Sequence, residues 1–157
     1  RKGIAAACER GGETGFPFVC ISAELYDGKS HSVDSSEMAF QEAGRLAFKN
    51  AVEKVGVTLL EPIMRVLVQT PSEHLGDVLG SINARRAEVE GVEEMRGGFS
   101  QIRSLVPLAE MFHYATGLRS MTTGRGTYSM EPASYKPVPT DLAEEILREA
   151  QAHRQGK

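Results

Sequence analysis

Residues 63–86 read IMRVLVQTPSEHLGDVLGSINARR, and within them the hydrophobic period changes from that of a strand to that of a helix. Over 63–69 every second residue from 64 to 68 is apolar, which predicts a strand with one apolar face. Its apolar face consists of Met64, Val66 and Val68. The start of a helix is indicated by a cap, a first-turn proline and a capping-box acid, which are Thr70, Pro71 and Glu73. The apolar stripe of that helix, at i, i+3, i+4 and i+7, is Leu75, Val78, Leu79 and Ile82.

The chain after this helix predicts a closed α+β unit. Two strands, 87–95 and 99–106, are joined at Arg96-Gly97-Gly98, and a helix over 107–118 and a strand over 126–131 follow. The inward side of the second helix is predicted to hold Leu108, Met111 or Phe112, Ala115 and Leu118. The order βαββαβ is the ferredoxin-like arrangement, in which two helices back a four-stranded sheet. A further amphipathic helix is predicted at 141–153.

The first 57 residues predict a unit that cannot close by itself. A helix ends at Gly11, a strand with an alternating apolar face spans 18–26, and a capping box from Asp34 to Glu37 begins a helix over about 35–55. A single strand has no partner for its backbone hydrogen bonds. We therefore expect residues 1–57 to be the tail of a larger sheet domain whose first strands lie upstream, and residues 58–157 to form the second domain.

Composition limits the possible functions. The 157 residues have a net charge of −3, with 41% hydrophobic and 25% charged residues, which is typical of a globular protein and excludes a uniformly basic nucleic-acid binder. No apolar run reaches the roughly 20 residues of a membrane helix, so no membrane partner is expected. Cys8 and Cys20 have no metal or redox spacing, which favours a reducing, cytoplasmic location.

Three sets of residues are candidates for RNA contacts. The first is a polar turn with hydrogen-bonding side chains suited to phosphate and 2′-hydroxyl groups, namely Asp27, Gly28, Lys29, Ser30, His31 and Ser32. The second is an acid-free stretch between Glu110 and Glu131 together with a predicted helix start; its residues are Pro107, Leu108, Ala109, Glu110, His113, Arg119 and Arg125. The third is Arg85 and Arg86, for which a contact with RNA is implied only by the family resemblance described below. Each set also has an explanation without RNA. The first would be a solvated turn, and the second a core helix with two solvated arginines. The third would be two arginines that interact favourably with the dipole at the end of a helix.

The sequence offers no catalytic arrangement. It lacks a P-loop motif, and its four histidines, His31, His74, His113 and His153, show no metal-ligand spacing among themselves or with the cysteines. No nucleophile and base are paired. We therefore expect no catalytic residue, metal or cofactor in this chain.

Long stretches of the sequence resemble translational elongation factor G, the GTPase that moves tRNA and mRNA through the ribosome. They are LYDGKSHSVDSSEMAF (25–40), LLEPIMRV (59–66), GDVLGSINARR (76–86), VPLAEMFHYATGLRS (106–120) and GRGTYSMEP (124–132). The resemblance implies that residues 1–57 are the second half of domain IV, a left-handed βαβ fold like that of ribosomal protein S5. It also implies that residues 58–157 are the ferredoxin-like domain V with a C-terminal helix.

The resemblance also implies partners. The turn around His31 would enter the small-subunit decoding site and approach tRNA and mRNA. The surface that includes Arg119 and Arg125 would face the sarcin–ricin loop of 23S-type rRNA, and the helix ending at Arg85 and Arg86 would face the stalk base. GTP and Mg²⁺ would bind an N-terminal domain upstream of this chain, and the factor would be a monomer. Where the family usually has EMFGYAT, this chain has His113 in place of the glycine.

Other functions stay open on sequence alone. Related factors share these stretches and act in ribosome recycling, so translocation and recycling are both compatible with them. A stand-alone ferredoxin-like ligand-binding or regulatory domain would have the same fold. A metal-dependent or acid–base enzyme that uses His31 and Asp34 is a further alternative.

Overall fold

A strand at Leu60–Pro71, β1, occupies a central position in a four-stranded antiparallel sheet. The computed structural model describes residues 1–12, 14–33 and 35–155, the last two of them as backbone only. The elements that follow β1 are a 3₁₀ turn at Ser72–His74, α3 at Leu75–Asn83, β2 at Glu88–Met95, β3 at Phe99–Pro107, a 3₁₀ turn at Leu108–Met111, α4 at Tyr114–Met121, β4 at Thr127–Pro137 and α5 at Thr140–Gln155. Before β1 lie α1 at Lys2–Arg10 and α2 at Glu37–Val55.

The described chain divides into two compact units, Arg1–Thr58 with Pro139–Lys157, and Leu59–Val138. In the second unit the strand order is β2-β3-β1-β4, and every neighbouring pair is antiparallel. This order and the sequence βαββαβ confirm the predicted α+β class and ferredoxin-like arrangement. The C-terminal helix groups with the first unit here, whereas the sequence analysis assigned it to the second domain.

The core of the second unit lies between one face of the sheet and α3 and α4. Met64, Val66 and Val68 are buried there, as the alternation in β1 predicts. Val78 and Ile82 of α3 are fully buried against them, and Leu75 and Leu79 are partly buried. Burying a side chain of this size stabilises the fold by about 1.5–3 kcal/mol, so this layer holds the sheet and helices together.

The opposite face of the sheet is covered by polar cross-strand pairs. Arg65 on β1 contacts Glu131 on β4 at 3.0 Å, and Arg103 on β3 contacts Glu93 on β2 at 2.7 Å. The amides of Gln69 and Gln101 are 3.3 Å apart. Such pairs add modest stability to neighbouring strands and leave this face polar.

The predicted start of α3 at Thr70 is wrong by several residues. Thr70 pairs with Ser100, and β1 continues to Pro71 opposite Phe99. The Ser72 backbone N–H donates to the Gly98 carbonyl at 2.9 Å, so the hairpin between β2 and β3 holds this segment in the sheet. A 3₁₀ turn follows and the α-helix begins only at Leu75, because sheet hydrogen bonds override the local capping signals. The last strand also extends further than predicted, to Pro137 opposite Leu60.

The first unit contains the helices α1, α2 and α5 but no strand among its described residues. α1 ends at Gly11, which has a left-handed φ of 72°, as predicted. The Oγ of Ser36 caps α2 by accepting from the Ala39 N–H at 3.1 Å; Asp34, the predicted cap, lies outside the described residues. The predicted strand at 18–26 is not formed, since the described residues offer it no partner strand, and Leu25 is 83% exposed.

Close packing at Gly126 gives a direct test of the second unit. A methyl group there would lie 2.7 Å from the Oγ1 of Thr122, a buried side chain that accepts the Gly126 N–H at 2.8 Å. We predict that Gly126→Ala lowers the free energy of unfolding in urea by about 1–3 kcal/mol through overpacking. Gly117→Ala in α4 is the matched control, because its methyl group meets nothing within 4 Å, and it should stabilise by up to about 1 kcal/mol. Equal effects of the two substitutions would contradict the packing described here.

Candidate nucleic-acid interface

The segment after β3 is a short 3₁₀ turn and not the start of an α-helix. Pro107 is buried with φ −58° and ψ 135°, and the turn has 4 residues, Leu108–Met111. Ala109 is exposed, whereas Leu108 packs against the core and Met111 is buried. The predicted helix over 107–118 is therefore wrong for residues 107–113, including its first turn with free N–H groups, and confirmed for residues 114–118, which lie in α4. Contact of Pro107, Leu108, Ala109 and Glu110 with RNA stays a prediction.

A break at Phe112 and His113 separates this turn from α4. Phe112 is extended, with φ −60° and ψ 133°, and His113 has φ 62°, in the left-handed region. The break directs Phe112 outward, where it is 69% exposed, and His113 is also exposed. Met111 and Tyr114 on either side are buried. The segment thus presents an aromatic ring and an imidazole at the surface, between the buried residues Met111 and Tyr114.

Tyr114 is a core residue that the sequence analysis missed. Its ring packs edge-on against Tyr128, with centroids 5.2 Å apart, and the Arg85 guanidinium lies 5.0 Å from the ring centroid. Burial raises the pKa of the Tyr114 phenol to about 12, so the side chain stays neutral at physiological pH. Its position three residues after Met111 and four before Leu118 was the signal that could have identified it.

The loop after α4 is fixed by its own backbone. Thr122 donates its hydroxyl to the Leu118 carbonyl at 2.7 Å, the Gly124 N–H donates to the Arg119 carbonyl at 2.8 Å, and the Arg125 N–H donates to the Thr122 carbonyl at 3.0 Å. Each of these bonds satisfies a group at the end of the helix. These bonds therefore hold Arg119, in the last turn of α4, and Arg125, in the loop, in defined places at the surface.

The two arginines differ in their pairing. The Arg125 guanidinium donates to Glu73 and lies 3.5 Å from Nε2 of His74, and this hydrogen bond lowers the pKa of the Glu73 carboxyl. Arg119 is exposed, and its guanidinium has no ion pair with any residue in the described part of the chain. Arg119 is thus the more available of the two for an RNA phosphate.

Arg85 and Arg86 are both engaged within the protein. Arg86 donates from Nη1 and Nη2 to the two carboxylate oxygens of Glu61 at 2.6 and 2.9 Å, and from Nε to Glu110 at 2.8 Å. These bonds raise the pKa of Arg86 further above its usual range. Arg85 donates to the backbone carbonyl of Glu110. The two arginines that were predicted to face the stalk base therefore also form hydrogen bonds to Glu61 and Glu110 within the protein.

The predicted tip loop lies in the first unit, apart in the chain from the surface just described. Residues Asp27 to Ser32 are all exposed and belong to no helix or strand. The Gly28 N–H donates to Oδ1 of Asp27 at 2.7 Å, and the His31 N–H donates to Oγ of Ser35 at 2.7 Å. These local bonds leave the side chains of Lys29 and His31 at the surface. The structure thus keeps the two predicted contact surfaces in different units.

The described residues contain little else that resembles a ligand site. No group of three or more histidine, cysteine, aspartate or glutamate side chains among them is placed to hold a metal ion. No described helix combines the length and apolarity needed to cross a bilayer. A groove of about 480 Å³ in the first unit is lined by α1, α2 and the residues that flank them, with Phe18 and Phe48 in edge-on contact at 5.2 Å.

The four-stranded antiparallel sheet with α3 and α4 on one face places the second unit in the ferredoxin-like class of α+β domains. Residues 58–146 match the family model described as "Elongation factor G C-terminus", and residues 1–56 match "Elongation factor G, domain IV". The chain therefore belongs to the elongation factor G family. Both matched regions are non-catalytic domains of that family, and the 157 residues contain no GTPase domain.

A crystal structure of a protein from Thermus thermophilus has the same fold. The two share 42% sequence identity over 95% of this chain, with a TM-score of 0.87. The chain spans only 22% of the length of that protein.

The left-handed backbone at position 113 favours glycine, the residue that the resemblance implies at this place. An L-residue in this conformation is disfavoured by roughly 1–2 kcal/mol, while glycine adopts it freely. We predict that His113→Gly raises the free energy of unfolding by about 0.5–1 kcal/mol, measured by urea denaturation. His113→Ala, which keeps the Cβ, is the control and should give no such gain. If glycine destabilised the chain as it does inside a regular helix, the φ of 62° would be incorrect.

Proposed function

We propose that this chain is the ribosome-binding C-terminal region of an elongation factor G-type translational GTPase, acting in tRNA–mRNA translocation in the cytoplasm. The observation that carries the proposal is the succession of two family matches, domain IV over residues 1–56 and the C-terminal domain over 58–146. In this proposal the chain performs no chemistry. GTP and Mg²⁺ bind a separate N-terminal domain of the full-length factor.

The second unit is the part proposed to bind the large subunit, at the sarcin–ricin loop of 23S-type rRNA. Three features support this choice of surface. Phe112 and His113 are displayed between buried neighbours, and the first can stack on an unpaired base. Arg119 offers a guanidinium that forms no ion pair with the described residues. The last turn of α4, which carries Arg119, and the loop that carries Arg125 are held by backbone hydrogen bonds, so little conformational entropy is lost when RNA binds.

The first unit is the part proposed to reach the small subunit. Lys29, Ser30, His31 and Ser32 are exposed in a segment without regular structure, which leaves their side chains available to phosphate and 2′-hydroxyl groups of tRNA and mRNA. The α3 side of the second unit is assigned to the stalk base. The internal bonds of Arg85 and Arg86 argue for a supporting role of these two residues there.

The ionic-strength dependence of ribosome binding tests the large-subunit surface. We predict that Arg119→Ala in the full-length factor weakens binding to ribosomes and reduces the log–log salt slope by about 0.7–0.9, the value for one lost phosphate contact. Arg125→Ala should reduce the slope less, because Arg125 is already paired with Glu73. Sedimentation or fluorescence titration at several salt concentrations measures both effects.

Arg65→Gln is the matched control, because Arg65 pairs with Glu131 on the opposite face of the sheet and should leave the slope unchanged. If Arg119→Ala leaves the salt slope unchanged, Arg119 makes no phosphate contact, and this surface is not the one that binds large-subunit RNA.

A further inference from the structure

Arg85 and Arg86, which lie in the turn after α3, contact residues on both sides of the exposed Phe112-His113 pair. Arg86 holds the side chain of Glu110, and Arg85 holds the backbone carbonyl of the same residue. Arg85 also lies over the ring of Tyr114, 5.0 Å from its centroid. Glu110 lies two residues before the Phe112-His113 pair that turns outward, and Tyr114 lies directly after it. We call these contacts, with that of Glu61, the arginine clamp.

The clamp is also fixed to the sheet. Glu61, the second residue of β1, accepts both terminal nitrogens of Arg86, and its side chain is only 12% exposed. A bidentate arginine–carboxylate pair fixes the orientation of the guanidinium as well as its position. Arg86 itself has a left-handed φ of 54°, a conformation that a non-glycine residue keeps only where its surroundings determine it. The clamp thus joins the central strand, the end of α3 and the segment 110–114.

The charges of the clamp argue against direct phosphate binding. Arg85 and Arg86 bring two positive charges, and Glu61 and Glu110 bring two negative ones, so the cluster is neutral. Both terminal nitrogens and the Nε of Arg86 already donate to carboxylates. These bonds use three of the five N–H groups of Arg86, and a phosphate bound to the remaining two would lie beside the carboxylates of Glu61 and Glu110, which would repel it. The Nε of Arg85 is buried and has no partner among the described residues, so RNA cannot reach it.

We infer that Arg85 and Arg86 are positioning residues, which fix residues 110–114 so that Phe112 and His113 are presented to large-subunit RNA. The RNA partner rests on the proposed function, whereas the positioning rests on the contacts alone. Arg85 and Arg86 then act through Glu110 and Tyr114 and contact no RNA.

Arg86→Lys in the full-length factor separates the two roles. A lysine keeps the charge and would retain most of a phosphate contact, but it cannot reproduce the bidentate pair with Glu61. If Arg86 is a positioning residue, the variant should bind isolated large ribosomal subunits about 3- to 10-fold more weakly, the effect of losing one hydrogen bond. The slope of log affinity against log salt concentration should stay unchanged, because no phosphate contact is lost. Binding equal to that of the unaltered factor would overturn the inference.

Glu61→Gln gives a result of opposite sign under the two roles. If Arg86 bound an RNA phosphate, removing the negative charge of Glu61 would leave binding to the large subunit equal or tighter. If Arg86 positions residues 110–114, the weaker contact between Arg86 and the substituted side chain should make this segment more mobile and weaken binding to the large subunit. Arg103→Lys is the matched control, since it alters an ion pair of similar length, 2.7 Å to Glu93, on the opposite face of the sheet. It should leave binding unchanged.

Amide hydrogen exchange tests the clamp without ribosomes. In Arg86→Lys the amides of residues 110–114 should exchange faster, while those of the hairpin between β2 and β3 keep their protection. Unchanged exchange at 110–114 would overturn the clamp whatever the binding result. Failure of the unaltered factor to bind large subunits would instead overturn the proposed function, and faster exchange at 110–114 would still support the clamp.

Discussion

The pairing of β1 on both of its edges is the constraint on which the second unit depends. One edge bonds to β3 from Ile63 opposite Pro107 to Pro71 opposite Phe99, and the other bonds to β4 from Leu60 opposite Pro137 to Gln69 opposite Thr127. Because the side chains of a strand alternate, this pairing fixes which residues of all three strands face the helices. A slip of one residue would move Val66 and Val68 out of the core, so the register is strongly determined.

The same pairing positions the candidate RNA surface. β3 ends and β4 begins next to β1, and residues 108–126 must connect these two points. The 3₁₀ turn, the left-handed His113 and α4 make this connection while they bury Met111, Tyr114 and Leu118. Phe112, His113 and Arg119 are among the residues left outside. The exposed groups are thus fixed by the buried ones between them, and the arginine clamp ties their conformation to the first residues of β1.

The sequence was informative where the pattern is periodic and local. The alternation in 63–69 and the stripe of α3 correctly identified their buried faces, since both depend only on neighbouring residues. The helix predicted over 107–118 was correct only from residue 114, because a helical spacing of apolar residues continues through a left-handed residue that periodicity does not detect. The glycine usual in the family at position 113 was the available signal. The strand predicted at 18–26 was wrong because a strand needs a partner as well as alternation. The roles of Arg85 and Arg86 could not be found from local pattern, since Arg86 pairs with a residue 25 positions away.

The central claim is that one chain contacts both ribosomal subunits, through the surface around Phe112, His113 and Arg119 and through the turn around His31. Chemical footprinting of rRNA on ribosomes bound to the full-length factor tests it most directly, with variants carrying Arg119→Ala or His31→Ala. The account predicts protection at the sarcin–ricin loop that weakens only in the first variant, and protection at the decoding site that weakens only in the second. Protection at neither place, or equal loss at both places in either variant, would contradict it.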